Sequence, residues 1–218
     1  DNFYVVEGSF GFKAKPDINT YPEANKVIED SYFLRIEIPV EFPEKLPKVF
    51  EELHRIERIE DNHAPPSLGW LCLGTDLRLL KELQPNPTLL VFAEKCIVPY
   101  LYGFSYKEKC KKWPGNEVAH GSKGLGEEYQ NLFGVSSLKQ LIKAIEMLTK
   151  GSTLKVRELS CPCACGKKIK VSNCQCSTNI KFYRKIRSKA VYRQELGRLR
   201  ELNCENQKHG KERVIKSK

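Results

Sequence analysis

Phe33-Leu34-Arg35-Ile36-Glu37-Ile38-Pro39-Val40-Glu41-Phe42-Pro43-Glu44-Lys45-Leu46-Pro47-Lys48-Val49 sets the frame of the chain. Leu34, Ile36, Ile38 and Val40 alternate with Phe33, Arg35 and Glu37. A period of two marks a half-buried strand, because successive side chains on a strand point to opposite faces. The prolines over 42–47 bracket a turn, and Val49 to Ile56 reads as the next strand. Upstream, Phe3 to Phe12 reads as a strand with a glycine bend, and 17–30 as a polar, turn-rich connection. Strand, strand, proline-rich turn and strand make an antiparallel meander.

Working toward the C-terminus, Gly69-Trp70-Leu71-Cys72-Leu73 places a thiol after a short apolar run, with His63 and Pro65-Pro66 just upstream. A thiolate is both a nucleophile and a good acyl carrier, so Cys72 there fits a thioester site. It equally fits a buried structural thiol, because cysteine is among the most buried residue types. His63 would tune the thiol or orient an incoming amine, or only hydrogen-bond its own turn. After Cys72 the period changes. Asp76 to Leu83 reads as a short helix, broken by Pro85-Asn86-Pro87. Thr88 caps an apolar helix over 89–102. Residues 103–120 read as a loop, and 124–133 as a helix. Ser136-Ser137 caps a helix in which Leu138, Leu141, Ile142, Ile145 and Leu148 recur at helical spacing, closed by Gly151. Cys96 falls on the apolar helix as a core residue, and Cys110 in a lysine-rich loop.

At 218 residues, with 40% hydrophobic and 29% charged residues, the composition is that of a globular protein. No apolar run approaches the roughly 20 residues needed to span a bilayer. The start lacks the basic and apolar regions of a secretory signal. The cysteine count of nine is odd, which argues against a closed disulfide framework and for a reducing cytoplasm. Residues 151–218 hold 18 Lys+Arg against 5 Asp+Glu, whereas 1–150 hold 19 against 22. The basic balance thus belongs to the C-terminal segment, which suits an anionic partner or a solvated face.

The segment 32–73 resembles the core of ubiquitin-conjugating enzymes. That family carries a turn of the form FPxxYPxxPPxV, then His-Pro-Asn, then Gly-x-Ile-Cys-Leu. This chain has Phe42-Pro43-Glu44-Lys45-Leu46-Pro47-Lys48-Val49, then His63-Ala64-Pro65-Pro66, then Gly69-Trp70-Leu71-Cys72-Leu73. The family's oxyanion-stabilising Asn has no clear counterpart, since Asn62-His63-Ala64 stands in its place. Loss of one such donor typically costs about 2.7–4 kcal/mol of transition-state stabilisation, so either another group, such as a backbone amide or His120, would serve, or the acceptor chemistry would differ. A second stretch, Trp113-Pro114-Gly115-Asn116-Glu117-Val118-Ala119-His120-Gly121-Ser122-Lys123-Gly124-Leu125-Gly126-Glu127-Glu128-Tyr129, resembles a segment of conjugating-enzyme-like proteins in bacterial anti-phage operons, including the cyclic-oligonucleotide (CBASS) kind. The resemblance implies an acyltransferase in anti-phage defence. Cys72 would carry, as a thioester, the C-terminal carboxylate of a nucleotidyltransferase or a ubiquitin-like protein. A separate activating enzyme would supply the donor, and an amine would accept it, with His63 and His120 at the site.

Cys161-Pro162-Cys163-Ala164-Cys165-Gly166-Lys167-Lys168-Ile169-Lys170, followed by Cys174-Gln175-Cys176, has metal-ligand character. Four thiolates in a tetrahedron make a closed structural zinc (Zn2+) site. The expected ligands are Cys161, Cys163, Cys174 and Cys176, with Cys165 spare. The run resembles the SEC-C zinc motif. A segment with so little apolar core would fold only with metal. A basic amphipathic helix over 180–203 follows, with a charged, disordered end over 205–218. Lys167, Lys168, Lys170, Lys181, Arg184, Lys185 and Arg187 would meet phosphates if the partner is nucleic acid.

The expected architecture is therefore α+β: a ubiquitin-conjugating-enzyme-like meander with flanking helices over 1–150, and a zinc knot with a basic helical tail over 151–218. Two other readings stay open. One is a catalytically inactive conjugating-like binding module. The other is a zinc-dependent nucleic-acid-binding protein.

Overall fold

The computed structural model describes residues 2–15, 26–114, 121–150, 165–166 and 169–215. The chain divides into two compact units, Asp1–Glu117 and Val118–Lys218. The composition changes near 150, but the contacts divide the chain earlier.

The first unit is built on a three-stranded antiparallel sheet of order β1-β2-β3. Strands β1 (Phe3–Ala14) and β2 (Ile28–Pro39) pair along their whole length, from Phe3 opposite Pro39 to Ala14 opposite Ile28. On β2 the alternation read from sequence resolves into a core face: Tyr32, Leu34 and Ile38 are buried. Strand β3 (Lys48–Glu51) is shorter than the 49–56 expected. The Glu51 carboxylate explains the stop. It accepts the backbone N–H of Leu53 at 3.1 Å and of Ile56 at 3.2 Å, so the chain folds back on this buried side chain instead of extending the ladder.

Helix α1 (Asp76–Glu82) follows Cys72 as expected. Thr88 then caps the next helix, its hydroxyl accepting from the Val91 N–H at 3.2 Å. This helix runs on through α2 (Leu89–Phe92), a π-turn (Ala93–Ile97) and α3 (Val98–Cys110). It therefore continues eight residues beyond the expected end at 102, and Cys110 closes it rather than lying in a loop. Burial explains the extension, because Gly103, Phe104 and Ser105 are still core-facing. The Ser105 hydroxyl lies 2.7 Å from the Tyr32 hydroxyl and donates to Asp30 at 2.8 Å. Arg55 then brackets Asp30 and Glu108 at 2.7 and 2.5 Å. That network fastens α3 to β2 and holds the Asp30 carboxyl down at about 2, chiefly through its hydrogen bond from Arg55.

The second unit is helical in its described part: α4 (Gly121–Phe133), α5 (Leu138–Lys150), α6 (Gln175–Ile186) and α7 (Lys189–Ile215). Leu141, Ala144, Ile145 and Leu148 form the fully buried stripe of α5, which lies along α7. The expected single helix over 180–203 is two helices. Arg187 adopts an extended conformation, φ −135° and ψ 156°, and the Ser188 hydroxyl accepts from Val191 N–H to start α7. Helix α7 also continues to Ile215 across the stretch expected to be disordered. Among the described residues, no helix is long and apolar enough to cross a membrane. Gly151, expected to close α5, lies outside the described residues.

Candidate functional site

Cys72 is half-buried between the buried Leu71 and Leu73. Two backbone bonds fix its segment. Leu71 N–H donates to Val49 O at 2.8 Å, which ties the segment to β3. Cys72 N–H donates to His63 O at 2.7 Å, which ties the thiol-bearing residue to the loop that follows a short 3-10 turn, Glu60–Asn62. The structure thus brings together the two residues singled out by sequence. His63 sits in the left-handed region at φ 50°. Its ring meets Trp113 edge to face, with centroids 5.1 Å apart.

A set of residues invisible to local reading holds that loop. Trp113 Nε1 donates to Asp61 O at 2.7 Å, and Tyr100 Oη donates to Asn62 O at 2.6 Å. Lys107 Nζ donates to Asp61 O at 2.7 Å and to Asn62 Oδ1 at 3.0 Å. Asn62 Nδ2 donates in turn to Glu57 O at 3.0 Å. The buried Asn62 amide is thus bonded at both ends, its oxygen to Lys107 of α3 and its nitrogen to Glu57 O, and braces the loop. Burial pushes the Tyr100 hydroxyl up from its usual range, and the nearby Cys72 pushes it the same way. Tyr100 therefore stays protonated as a donor, within electrostatic reach of the thiol.

On the other side of Cys72, the Arg78 guanidinium donates to Leu73 O. It lies across Gly74, whose φ of 141° suits glycine and whose missing Cβ leaves the guanidinium room. Cys96 is in the core as expected. Burial raises its thiol to about 12, so it stays protonated near neutrality. His120 lies outside the described residues.

No protein-family model matches this chain, nor does any curated protein or any solved structure. The functional reading therefore rests on its own residues.

The cysteine cluster is a second candidate site, inside the second unit. Cys161 and Cys163 lie outside the described residues. Cys174 and Cys176 are each about 1% exposed, at the start of α6. Cys165, read as spare, has its sulfur 3.5 Å from that of Cys174. Thiolates ~2.3 Å from one tetrahedral zinc are about 3.8 Å apart, so this pair fits one edge of such a site. The partial positive charge at a helix N-terminus favours thiolates. Gln140 of α5 donates to Cys165 O at 3.1 Å and holds the cysteine turn against the helices. The fully buried Ser177 hydroxyl has no partner among the described residues and sits next to Cys176 in sequence. Among the described residues alone, no group of three or more metal-binding side chains is gathered tightly enough to hold an ion. A complete shell would need a thiolate from 161–163.

Proposed function

We propose that the chain is an acyltransferase of the ubiquitin-conjugating type, with Cys72 as the acyl carrier. The observation that carries the reading is the placement of Cys72. It is half-buried, flanked by buried leucines and pinned through its own N–H to the carbonyl of His63. In the first step the Cys72 thiolate attacks the thioester carbonyl presented by an activating enzyme, and that enzyme's thiol leaves. In the second, an amine attacks the Cys72 thioester, an amide forms, and the Cys72 thiolate leaves after the amine gives up its proton. His63 positions the thiol segment through its backbone carbonyl, and its ring packs on Trp113. His120 belongs to the proposal only through the sequence pattern.

The donor in this reading is the C-terminal carboxylate of a CBASS-type nucleotidyltransferase or a ubiquitin-like protein, in the cytoplasm of a cell defending itself against phage. The second unit would carry a structural zinc, held by four of the five clustered thiols: Cys174, Cys176 and two of Cys161, Cys163 and Cys165. The 3.5 Å sulfur pair favours Cys165 within the set. Bound zinc would supply a closed thiolate cross-link rather than reactivity.

Intact-mass spectrometry of the protein isolated with its operon partners tests the carrier reading. Wild type should carry a thiol-labile adduct, Cys72→Ala none, and Cys72→Ser a stable ester. A chain that never carries an adduct in any of the three forms would make Cys72 a packing residue and the first unit a binding module.

A further inference from the structure

The two units have opposite charge. Residues 118–218 hold 22 Lys+Arg against 8 Asp+Glu, a net of +14, and residues 1–117 hold 15 against 19, a net of −4. The helical unit's cations fall into two kinds. Some are spent on the fold: Arg184 turns inward to donate to Met147 O at 3.0 Å, with its Nε buried. Arg200 pairs with Glu146 at 2.6 Å, and Arg198 with Glu195 at 3.4 Å. Arg187 also has its Nε buried, and its charge lies near Tyr192. Both arginines that sequence assigned to phosphate contact, Arg184 and Arg187, are therefore half-buried, with their Nε atoms enclosed.

Of the rest, four bracket the α6–α7 corner. Lys185, Lys189 and Arg193 are exposed and Lys181 is half-exposed. None of the four has a carboxylate within ion-pair distance among the described residues. Lys181 and Lys185 lie one turn apart on α6, and Lys189 and Arg193 one turn apart on α7. Each pair is thus separated by about 6 Å of helix rise. The core-facing sides of the same helices are occupied by Ile180, Tyr183, Tyr192, Leu196 and Leu199.

We propose that the helical unit binds nucleic acid through Lys181, Lys185, Lys189 and Arg193, which take phosphates at the α6–α7 corner. The partner class follows from what accompanies the charge. All large apolar side chains exposed among the described residues belong to the first unit, from Phe3 to Leu90. A helix lying on a membrane needs an exposed apolar face, and protein interfaces are anchored by buried aromatic or apolar hot spots. A cationic corner without such anchors suits a repeating phosphate backbone, read without base specificity.

The test is fluorescence anisotropy of the full chain on a random-sequence DNA duplex and its single strand, with salt as the variable. Four phosphate contacts predict a slope of about −3.6 in log K against log salt on duplex, or roughly 150-fold weaker binding between 50 and 200 mM. The Lys181→Ala/Lys185→Ala/Lys189→Ala/Arg193→Ala chain, its helical circular dichroism unchanged, should lose most of that slope. Lys139→Ala/Lys143→Ala on α5 should keep it, and so should Cys72→Ala, which separates this surface from the carrier reading. Three outcomes overturn the proposal: quadruple-variant binding equal to wild type, an equal loss in the α5 control, or binding to anionic lipid vesicles with none to either oligonucleotide.

Discussion

Tyr100→Phe removes one oxygen from the support of the Cys72 site and leaves the ring in place. Tyr100 is 6% exposed, and its hydroxyl donates to Asn62 O across 2.6 Å, both in the interior. Phenylalanine keeps the contact with Trp113, whose ring centroid lies 6.1 Å away. The loss is therefore confined to a buried carbonyl left without its donor, at a cost of about 1–3 kcal/mol. For a unit spanning Asp1–Glu117, that corresponds to roughly 4–12 °C in melting temperature, at about 2.1 cal/mol/K of unfolding entropy per residue. Trp70 and Trp113 are the chain's two tryptophans and both lie in this unit, so intrinsic fluorescence in a urea titration reports it selectively. The midpoint should fall with the slope unchanged, as expected for a stability change without a change in exposed surface. Because Asn62 precedes His63, which holds the Cys72 N–H, a loosened loop should also raise the rate of Cys72 alkylation, followed peptide by peptide in the mass spectrometer. A stability change below about 0.3 kcal/mol, with alkylation at the wild-type rate, would refute the claim that this hydroxyl holds the site.

The Asp30 carboxyl, held at about 2 by Arg55 against an ordinary 3.8, contributes stability that is present above pH 4 and lost as pH falls from about 4 toward 2. Thermal melts across that window should therefore fall more steeply for wild type than for Asp30→Asn, and parallel slopes would contradict the network described. Gly74→Ala forces a side chain into the left-handed backbone region and onto the Arg78 guanidinium, at a cost of about 1–3 kcal/mol. The cost should shrink in an Arg78→Ala background, a non-additivity that a double-mutant cycle by urea denaturation would measure. Elemental analysis should find about one zinc per chain, and a strong chelator should reduce helical circular dichroism while leaving tryptophan fluorescence unchanged; a metal-free chain indifferent to chelator would remove the zinc site.

What the sequence disclosed and what it hid divide along physical lines. The alternation of β2, the cap at Thr88 and the stripe of α5 are local patterns, and local patterns were enough to place them. The early stop of β3 depends on a side chain, Glu51, capturing the N–H groups of Leu53 and Ile56, which no periodicity announces. The run of α3 through Phe104 and Ser105 reads as a loop when its lysines and glycine are weighed alone, because the core they reach is built by β2. The break between α6 and α7 did carry a local sign, Ser188, a good helix-starting residue overlooked in a long basic run. At the site, the spacing of His63 and Cys72 was legible, and the structure ties them by one backbone bond. Tyr100, Lys107 and Trp113, which hold the loop, lie 37 to 50 residues beyond it in sequence. Lys107 and Trp113 stand in a stretch that looks like generic basic loop, and only the fold places all three there.

That separation has a consequence for how the site comes into being during synthesis. The loop carrying His63 and the segment carrying Cys72 leave the ribosome before the residues that order them. Trp113 is made 41 positions after Cys72, an interval of about 2–8 s at 5–20 residues per second. Through that interval the nascent thiol sits on a chain that has not been shaped around it. The loop beside Cys72 is thus ordered late in the emergence of the first unit, when Lys107, near the end of α3, and Trp113, just beyond it, become available to bond the Asp61 carbonyl.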